Sequence, residues 1–352
     1  ELVTGLIRRG VQVTLVSFGE IPTAQQVSWM DGLDGLDYRP TGFHLEWMQD
    51  AEADIEASSD YLASIVREVR PDVLHLNQYC YGCLPVDVPR IVVAHSDVVS
   101  WWVAVHGEEP RASRWMSWYR GTVKQGLQAA TAVVAPSEWM LNSLAAHYIR
   151  PAQASVIYNG RDPNLFNPHI TKEEYAVSVG RIWDGGKQVS LLRQIDPPLP
   201  IYVAGSEDHP ESAVHPQAAR RTAKKSRLRF KGTQSEGQLR HLFSRAAIYA
   251  ATSRYEPFGL APLEAALSRC AVVANEIPTF HEIWGDAAYY FRLNDPASLQ
   301  EALRQLTEDR ELRREYATRA YDRARRHYTA DRMTEGYLEL YQSVVRTEAA
   351  AA

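Results

Sequence analysis

The chain has 352 residues, of which 45% are hydrophobic and 23% are charged, and its formal net charge is -5. This length corresponds to about two domains, because a single core usually stops growing at roughly 250–300 residues. The composition excludes a wholly disordered, collagen-like or coiled-coil chain, and no run reaches the ~18 apolar residues that span a bilayer. The acidic balance argues against general nucleic-acid binding. Three cysteines cannot form a disulfide framework, so a reducing, cytoplasmic location is expected.

The amino-terminal segment ELVTGLIRRGVQVTLVSF reads as the end of a helix followed by a strand over residues 11–18. A starting Met and a signal peptide are both absent from it. Because a βα unit begins with a strand, we expect the first strand of this unit and its loop to be missing from the sequence.

Along the chain, short apolar runs bounded by Gly, Pro or Asp alternate with amphipathic segments of helical period. Strands rich in β-branched residues that alternate with helices indicate parallel sheets covered on both faces. The strands are predicted at 11–18, 73–76, 91–94, 132–135, 155–158, 175–179, 201–204, 228–231, 248–251, 271–274 and 288–291. The helices are predicted at 61–69, 138–147, 236–245, 297–307 and 330–345.

The segment NGRDPNLFNPHITKEE, residues 159–174, separates the two sets of strands and is rich in turn-forming Asn, Pro and Gly. It predicts two doubly wound α/β domains with a cleft between them. We expect a first domain over 1–160, a second over 161–329 and a last helix, 330–346, that crosses back onto the first. In such sheets ligands bind at the carboxyl ends of the strands.

The segment Ser253-Arg-Tyr-Glu-Pro-Phe-Gly-Leu-Ala-Pro-Leu-Glu264 follows a predicted strand and contains a turn and the start of a helix. Backbone N–H groups at a helix start bind anions, assisted by the helix dipole. Glu256 precedes the turn, and we expect Glu264 about two turns into the helix. The segment is therefore a candidate anion site with two carboxylates.

Two carboxylates could also form the acid and nucleophile pair of a glycoside hydrolase. Eight helical residues rise about 12 Å, whereas a retaining hydrolase needs carboxyl groups about 5–5.5 Å apart and an inverting one about 6.5–9.5 Å. The spacing of Glu256 and Glu264 therefore favours contacts with opposite ends of one elongated ligand. The alternative for Glu264 is a cap or an ion pair on the helix surface.

A second candidate segment, Val179-Gly-Arg-Ile-Trp-Asp-Gly-Gly-Lys187, follows the first strand of the second predicted domain. It does not match the phosphate loop G-x-x-x-x-G-K-[ST], because the span from Gly180 to Lys187 is one residue too long and Gln188 replaces the hydroxyl residue. Arg181 and Lys187 remain as two cations that flank a flexible loop and suit a diphosphate. Arg181 and Lys187 could also be plain surface charges on a turn. Because they follow the carboxyl end of a strand, where ligands bind in such sheets, binding of a diphosphate is favoured.

Together these segments resemble the donor site of the retaining nucleotide-sugar glycosyltransferases of family 4, which have two facing Rossmann-like domains, the GT-B fold. The resemblance covers essentially the whole chain. Its motifs are Asn-Gly at 159–160 after a strand, Gly-Arg…Lys at 180–187, Ala-Gly at 204–205, Glu-x7-Glu at 256–264 and the Ala-Val-Val run that follows.

The resemblance implies catalytic roles for four residues. Arg181 and Lys187 would neutralise the departing diphosphate, which makes a metal unnecessary. Glu256 would lie beside the transferred sugar, and His95, after the strand at 91–94, would reach the donor sugar or its phosphate. Glu264 would bind the ribose hydroxyls. The other donor-binding residues would be Gly180, Phe258, Gly259, Leu260, Ala261 and Asn159.

Two features depart from the family. We expect the glycine-rich loop near the family's amino terminus, which contacts the diphosphate and acceptor, to be missing. After Glu264 the family shows a small residue followed by Gly-x-Pro-Val-Val, whereas this chain has Ser268-Arg-Cys-Ala-Val-Val273. Arg269 could narrow or recharge that turn, which concerns substrate preference and not the reaction type.

Weaker signals remain in the first domain. Cys80-Tyr-Gly-Cys83 has the spacing of a redox or zinc motif, but the chain has no second cysteine pair, so a plain loop is favoured. His95-Ser-Asp97 has the residue types of a hydrolase triad, but three consecutive residues cannot form one.

Candidate acceptor contacts also lie in the first domain. Ser96 or Asp97 would face the acceptor. Four tryptophans lie in Ser100-Trp-Trp102 and Arg114-Trp-Met-Ser-Trp118. For half of them, ordinary packing in the core is an equally good interpretation. Aromatic faces such as those of Trp101 and Trp102 suit sugar rings or a membrane surface.

The basic residues between the two donor segments predict a solvated helix followed by a strand and not a nucleic-acid site. They are Arg220, Arg221, Lys224, Lys225, Arg227 and Arg229.

The sequence therefore predicts a retaining hexosyltransferase that needs no cofactor and acts on a nucleoside-diphosphate sugar, with UDP favoured and GDP or ADP as alternatives. The acceptor would be a hydroxyl of a glycan, lipid or small molecule. A peripheral membrane contact stays open, and no nucleic-acid partner is expected. The alternatives are a nucleotide-sugar epimerase of the same architecture and a catalytically silent protein that binds a glycan or another subunit.

Overall fold

The computed structural model describes residues 1–207 and 227–351. The chain divides into two compact units, the first formed by residues 1–103, 108–158 and 330–352 and the second by residues 104–107 and 159–329. Of the predicted basic helix and strand, Arg220, Arg221, Lys224 and Lys225 lie outside the described residues.

The first unit consists of parallel strands that alternate with helices. Strands β1 and β2 form a two-stranded parallel sheet, and β3, β4, β5 and β6 form a four-stranded parallel sheet in that order. The strands are β1 (Val13–Ser17), β2 (Leu36–Pro40), β3 (Leu74–Leu76), β4 (Arg90–Val93), β5 (Ala132–Ala135) and β6 (Ala154–Val156). The helices are α1 (Leu2–Ile7), α2 (Ala24–Val27), α3 (Glu52–Val69), α4 (Val98–His106), α5 (Arg114–Ala129) and α6 (Glu138–His147).

Serine side chains determine where two of these helices begin. The hydroxyl of Ser113 accepts a hydrogen bond from the backbone N–H of Met116 at the start of α5, and Ser137 does the same for Met140 at the start of α6. Such N-caps satisfy donors that have no partner within the helix. Behind α6, strand β5 is buried along its whole length.

The second unit is built on a six-stranded parallel sheet in the order β12-β11-β10-β7-β8-β9. Its strands are β7 (Glu173–Val179), β8 (Ile201–Ala204), β9 (Leu228–Gly232), β10 (Ala246–Ala251), β11 (Ala271–Asn275) and β12 (Tyr289–Phe291). Its helices are α7 (Glu236–Arg245), α8 (Leu260–Leu267), α9 (Pro278–Trp284), α10 (Pro296–Glu308) and α11 (Arg310–His327). The strand order reverses between β7 and β10, which makes this point the expected ligand-binding crevice of the sheet.

Helix α12 (Ala330–Ala351) belongs to the first unit although it follows the second in sequence. Its buried residues pack on the central strands β4 and β5. The hydroxyl of Tyr341 also lies 2.6 Å from Nδ1 of His75 on β3. The contributors from α12 are Met333, Tyr337, Tyr341 and Val344.

The predicted α/β class with two parallel-sheet units is confirmed. Each predicted strand is present, with ends that agree with the prediction or differ from it by at most two residues. The sequence analysis missed β2, α2, α4, α5, α9 and α11. Helix α11 buries only Ala320, Tyr321 and Ala324, so its apolar stripe is too narrow to produce a clear helical period. None of the helices described by the structure is long and apolar enough to cross a membrane.

Candidate functional site

The two candidate segments of the second unit meet at the carboxyl edge of its sheet. Backbone N–H groups of Arg254 and Tyr255 donate to the carbonyl of Gly186 at 2.9 and 3.3 Å. The hydroxyl of Thr252 donates to the carbonyl of Lys187 at 2.9 Å. These bonds hold the loop after β10 against the loop after β7, so the two segments form one surface.

Glycines allow the backbone to approach this closely. A Cβ atom at Gly205 would lie 1.8 Å from the carbonyl oxygen of Gly180, and one at Gly259 would lie 2.9 Å from Cγ of Pro262. Gly205 and Gly259 also have φ angles of 144° and 95°, which disfavour other residues. At Gly180 an added Cβ would lie 3.1 Å from Cγ of Lys187, so the missing side chain leaves room for the lysine.

Lys187 forms an ion pair with Glu256. Its Nζ lies 2.6 Å from Oε2 of Glu256, and the hydroxyl of Ser253 donates to the same oxygen at 3.0 Å. The side chains of Lys187 and Glu256 are 25% and 12% exposed, and limited solvent strengthens such a contact. A cation and a carboxylate are thus fixed side by side at the switch point of the sheet.

Arg181 carries the second cation of the site. Its Nη2 lies 2.6 Å from Oδ2 of Asp184, and its guanidinium lies 5.1 Å from the ring centre of Trp183. The Asp184 side chain is only 3% exposed and accepts a hydrogen bond from the backbone N–H of Gly186 at 2.8 Å. The Arg181 side chain is 60% exposed, so an anion in solution can reach it.

Helix α8 begins later than the sequence analysis expected. Gly259 is its N-cap, with a positive φ angle, and Leu260 is the first helical residue. Glu264 is therefore the fifth residue of the helix, about one turn in, and the prediction of two turns was wrong. Because Glu256 lies before the helix, the estimate of about 12 Å from eight helical residues does not apply to this pair.

The start of α8 offers backbone N–H groups to a ligand. Gly259 has no side chain with which to cap them, and the first N–H groups of a helix have no partner within it. Phe258 is buried, its ring edge-on to that of Tyr328 at 5.4 Å, whereas Leu260 is 45% exposed. The segment from Phe258 to Ala261 is thus anchored on one side and open on the other.

Glu264 is paired with a residue that the sequence analysis missed. Nε of Arg161 lies 3.0 Å from its Oε1, and each of these two side chains is 16% exposed. Arg161 comes two residues after Asn159, which is half-buried in the same boundary segment. The sequence signal that could have identified Arg161 is its position directly after the Asn-Gly motif. The two carboxylates of the Glu-x7-Glu motif therefore each contact a cation of their own.

His95 lies in the first unit, two residues after the end of β4. Its Nε2 lies 2.8 Å from Oδ1 of Asn77, and surrounding protein atoms that displace water lower the pKa of the ring. Asn77 also forms a side-chain hydrogen bond with His75. Burial, with a smaller contribution from the charge of His95, lowers the pKa of His75 to about 4. Both imidazoles are therefore neutral at pH 7.

The residues predicted to contact the acceptor also lie in the first unit. Asp97 is buried, and its carboxylate accepts hydrogen bonds from the backbone N–H of Ser100 at 2.8 Å and the hydroxyl of Tyr148 at 2.9 Å. Ser96 is exposed. Trp101 and Trp102 are half-buried on α4, with ring centres 6.3 Å apart. Their contact with an acceptor stays a prediction.

The other tryptophans of this cluster serve the core. Trp115 and Trp118 pack against the buried residues of the first unit, and Nε1 of Trp115 donates to the carbonyl of Met48 at 3.0 Å.

Cys80–Cys83 is a 3-10 helix and not a plain loop. A Cβ at Gly82 would lie 2.2 Å from the carbonyl oxygen of Gly126 on α5, so this turn packs directly on that helix. Burial raises the pKa of Cys80, which disfavours thiolate chemistry. Among residues 1–207 and 227–351, no group of three or more His, Cys, Asp or Glu side chains is placed to hold a metal ion.

Two family models together match most of the chain. Residues 1–165 match the model described as Glycosyltransferase Family 4. Residues 167–323 match the model described as Glycosyl transferases group 1.

Among curated proteins, the chain is 28% identical over 194 residues to the O-antigen chain mannosyltransferase RfbU of Salmonella typhimurium, a match that covers 54% of each chain. It is 25% identical over 303 residues to the alpha-maltose-1-phosphate synthase of Mycolicibacterium smegmatis, covering 77% of this chain and 76% of that one. The match thus spans about half the length of the first relative and three quarters of the second.

Solved structures share the fold of this chain. A sucrose-phosphate synthase from Thermosynechococcus elongatus superposes with a TM-score of 0.78 at 18% identity, covering 100% of this chain and 92% of that one. HepE of Anabaena, in complex with UDP and glucose, superposes with a TM-score of 0.73 at 15% identity, covering 97% and 95%.

Proposed function

The chain belongs to the group 1 and family 4 glycosyltransferases, and from this premise we propose that it transfers a hexosyl group from a nucleoside-diphosphate sugar to a hydroxyl, with retention at the anomeric carbon. The observation that carries the proposal is the set of groups gathered where β7 and β10 end. Lys187 and Glu256 are in contact there, and the exposed Arg181 lies on the same loop as Lys187.

The reaction needs stabilisation of a leaving group more than a strong base. The bond between C1 of the sugar and the diphosphate breaks, its electron pair stays on a phosphate oxygen, and the acceptor oxygen bonds C1 on the same face. The acceptor proton passes to the departing phosphate. Arg181, Lys187 and the first N–H groups of α8 donate to the diphosphate as its charge grows, an electrostatic contribution that is large in such transfers. Glu256 lies beside the sugar.

The proposed donor is a nucleoside-diphosphate sugar, and the proposed acceptor carries a hydroxyl. The complexes of HepE with UDP, glucose and UDP-glucose support UDP as the nucleotide, with GDP and ADP as alternatives. Glu264 binds the ribose hydroxyls in this proposal. The acceptor is a hydroxyl of a glycan, lipid or small molecule. Its proposed contacts in the first unit are Ser96, Asp97, Trp101 and Trp102. The cysteines Cys80, Cys83 and Cys270 are free thiols, in keeping with a reducing cytoplasm.

The test combines nucleotide binding with sugar transfer. Titration calorimetry with UDP, GDP and ADP identifies the base, and the matching sugar donors are then assayed with a panel of hydroxyl acceptors. We expect Lys187→Ala to lower the transfer rate roughly 10²–10³-fold. The control is Arg245→Ala, which removes a cation that pairs with Glu173 on the surface of the same unit and leaves the rate unchanged.

Three outcomes would contradict this function. Transfer by Lys187→Ala at the wild-type rate removes the proposed role of the cations. Conversion of the donor sugar in an incubation without acceptor identifies a nucleotide-sugar epimerase. Absence of binding to all three nucleoside diphosphates indicates a catalytically silent protein.

A further inference from the structure

The side chain of Arg161 is fixed from several directions within the second unit. Its backbone N–H donates to the carbonyl of Tyr328 at 3.1 Å, and Arg161 and Thr329 form an isolated parallel β-bridge. Its guanidinium lies 5.7 Å from the ring centre of Phe166, and the side chain is only 16% exposed. An arginine held this firmly loses little further side-chain entropy when a ligand binds beside it.

The guanidinium joins two carboxylates that lie on different helices. Nε is 3.0 Å from Oε1 of Glu264 in α8, and Nη2 is 2.5 Å from Oε1 of Glu236, the first residue of α7. The contact with Glu236 is a hydrogen bond, and the contact with Glu264 is an ion pair. One planar guanidinium reaches both carboxylates at once, which a compact ammonium group does less readily. Arg161 therefore determines where the Glu264 carboxylate lies relative to the start of α7.

The contact with Arg161 also balances the charge of Glu264 within the site. The Glu264 side chain is 16% exposed and its Oε1 lies 3.0 Å from Nε of Arg161. A carboxylate accepts two or more hydrogen bonds from hydroxyls, so a carboxylate held in this position suits the hydroxyls of a ribose.

We propose that Arg161 is a positioning residue for the donor nucleoside, which orients Glu264 toward the ribose and so sets the preference of the site for ribose over a sugar without hydroxyls. The inference rests on the proposed function, because it takes Glu264 as the ribose-binding carboxylate. Arg161 acts through Glu264 and has no contact with the transferred sugar in this account.

The test measures discrimination between two ligands and not affinity alone. UDP and 2′,3′-dideoxy-UDP share the base and the diphosphate and differ only in the ribose hydroxyls. By calorimetry we expect the wild-type protein to bind UDP about ten- to hundredfold more tightly, the range for hydrogen bonds to a charged group. In Arg161→Ala the ratio falls to about threefold or less, because UDP loses affinity while the dideoxy analogue does not. Arg245→Ala keeps the wild-type ratio.

Two further variants separate positioning from a purely structural role. In Glu264→Ala the ratio also falls, and adding Arg161→Ala to it produces no further loss, since the arginine acts through that carboxylate. Arg161→Lys keeps the positive charge and most of the aliphatic part of the side chain, so it replaces Arg161→Ala in the test if that variant does not fold. For Arg161→Lys we expect a ratio of UDP affinity to dideoxy-UDP affinity between those of the wild type and Arg161→Ala. With UDP-glucose as donor, we expect the KM of Arg161→Ala to rise by the same factor by which its affinity for UDP falls, while kcat is unchanged. The reason is that ribose is bound equally in the ground state and in the transition state.

Failure of the inference is distinguishable from failure of the proposed function. If wild-type protein binds none of UDP, GDP and ADP, the function fails and the inference with it. If GDP or ADP binds more tightly than UDP, the same comparison is made between that nucleotide and its own 2′,3′-dideoxy analogue. If the wild type discriminates and both Arg161 variants keep the full ratio, or if the wild type shows no ribose preference, the assignment of Arg161 is overturned.

Discussion

The charged residues of the candidate site are paired with one another. Lys187 contacts Glu256, and Arg181 contacts Asp184. A diphosphate that binds here competes with these carboxylates for the same cations. The pairs hold the cations in place before the ligand arrives, which lowers the cost of organising the site during the reaction.

This competition predicts an unusual effect for Glu256→Gln. The substitution removes the charge that holds Lys187 and repels the diphosphate, so we expect UDP to bind a few-fold more tightly, as for a partly exposed ion pair of about 1 kcal/mol. Sugar transfer should fall roughly 10²-fold, because in the proposed function Glu256 acts beside the sugar through its charge. Calorimetry and initial rates measure the two effects, with Glu173→Gln as the control. Weaker binding of UDP would contradict the competition.

Among the elements, α12 shows how a late segment completes an earlier sheet. Tyr341 bonds to His75, and the rings of Tyr337 and His75 have centres 5.0 Å apart. His75 is linked through Asn77 to His95. Burial of His75 against α12 favours its neutral imidazole, so the stability of this contact depends on the protonation of the ring.

That dependence predicts a loss of stability in acid. The pKa of His75 is about 4 in the folded chain and near 6.5 when unfolded. The unfolded state therefore takes up the proton first, and stability falls as the pH drops from about 6.5 toward 4. Between pH 7 and pH 5 we expect a loss on the order of 1–2 kcal/mol from this residue. Urea unfolding of the wild type and His75→Gln at both pH values measures it, and equal losses in the two proteins would sink the idea.

For the whole molecule, the two units differ in how the chain forms them. The second unit consists of one long segment, residues 159–329, together with the short segment 104–107. The first unit consists of residues 1–103 and 108–158 and also requires residues 330–352 from the end of the chain. The buried face of α12 fills one side of the sheet of the first unit. Its removal exposes that side to water.

Truncation after residue 329 should therefore affect one unit selectively. Loss of the four buried α12 side chains costs about 1.5–3 kcal/mol each, a sum comparable to the stability of a domain. In scanning calorimetry we expect the transition of the first unit to disappear or to fall by tens of degrees. A second transition that UDP raises should remain. Truncation after Arg346 leaves those side chains in place and serves as the control, and an unchanged first transition would contradict the prediction.

The sequence by itself determined the strands and the motif residues of the second unit. Buried parallel strands such as β5 and β10 are continuous apolar runs, which can be recognised locally because both faces of such a strand are covered. The candidate segments 179–187 and 253–264 could be placed at one edge of the sheet because the carboxyl ends of parallel strands share that edge. The roles of their residues remain proposals.

The tertiary structure decided the pairings between distant side chains. Arg161 with Glu264, Lys187 with Glu256, and His75 with Tyr341 are contacts between segments far apart in the chain. The local pattern places Arg161 directly after the Asn-Gly motif but does not identify Glu264 in α8 as its partner. Hydrophobic periodicity reports only which face of an element is buried, whereas such a contact depends on strand order and on side-chain direction, which exist only once the sheet has formed.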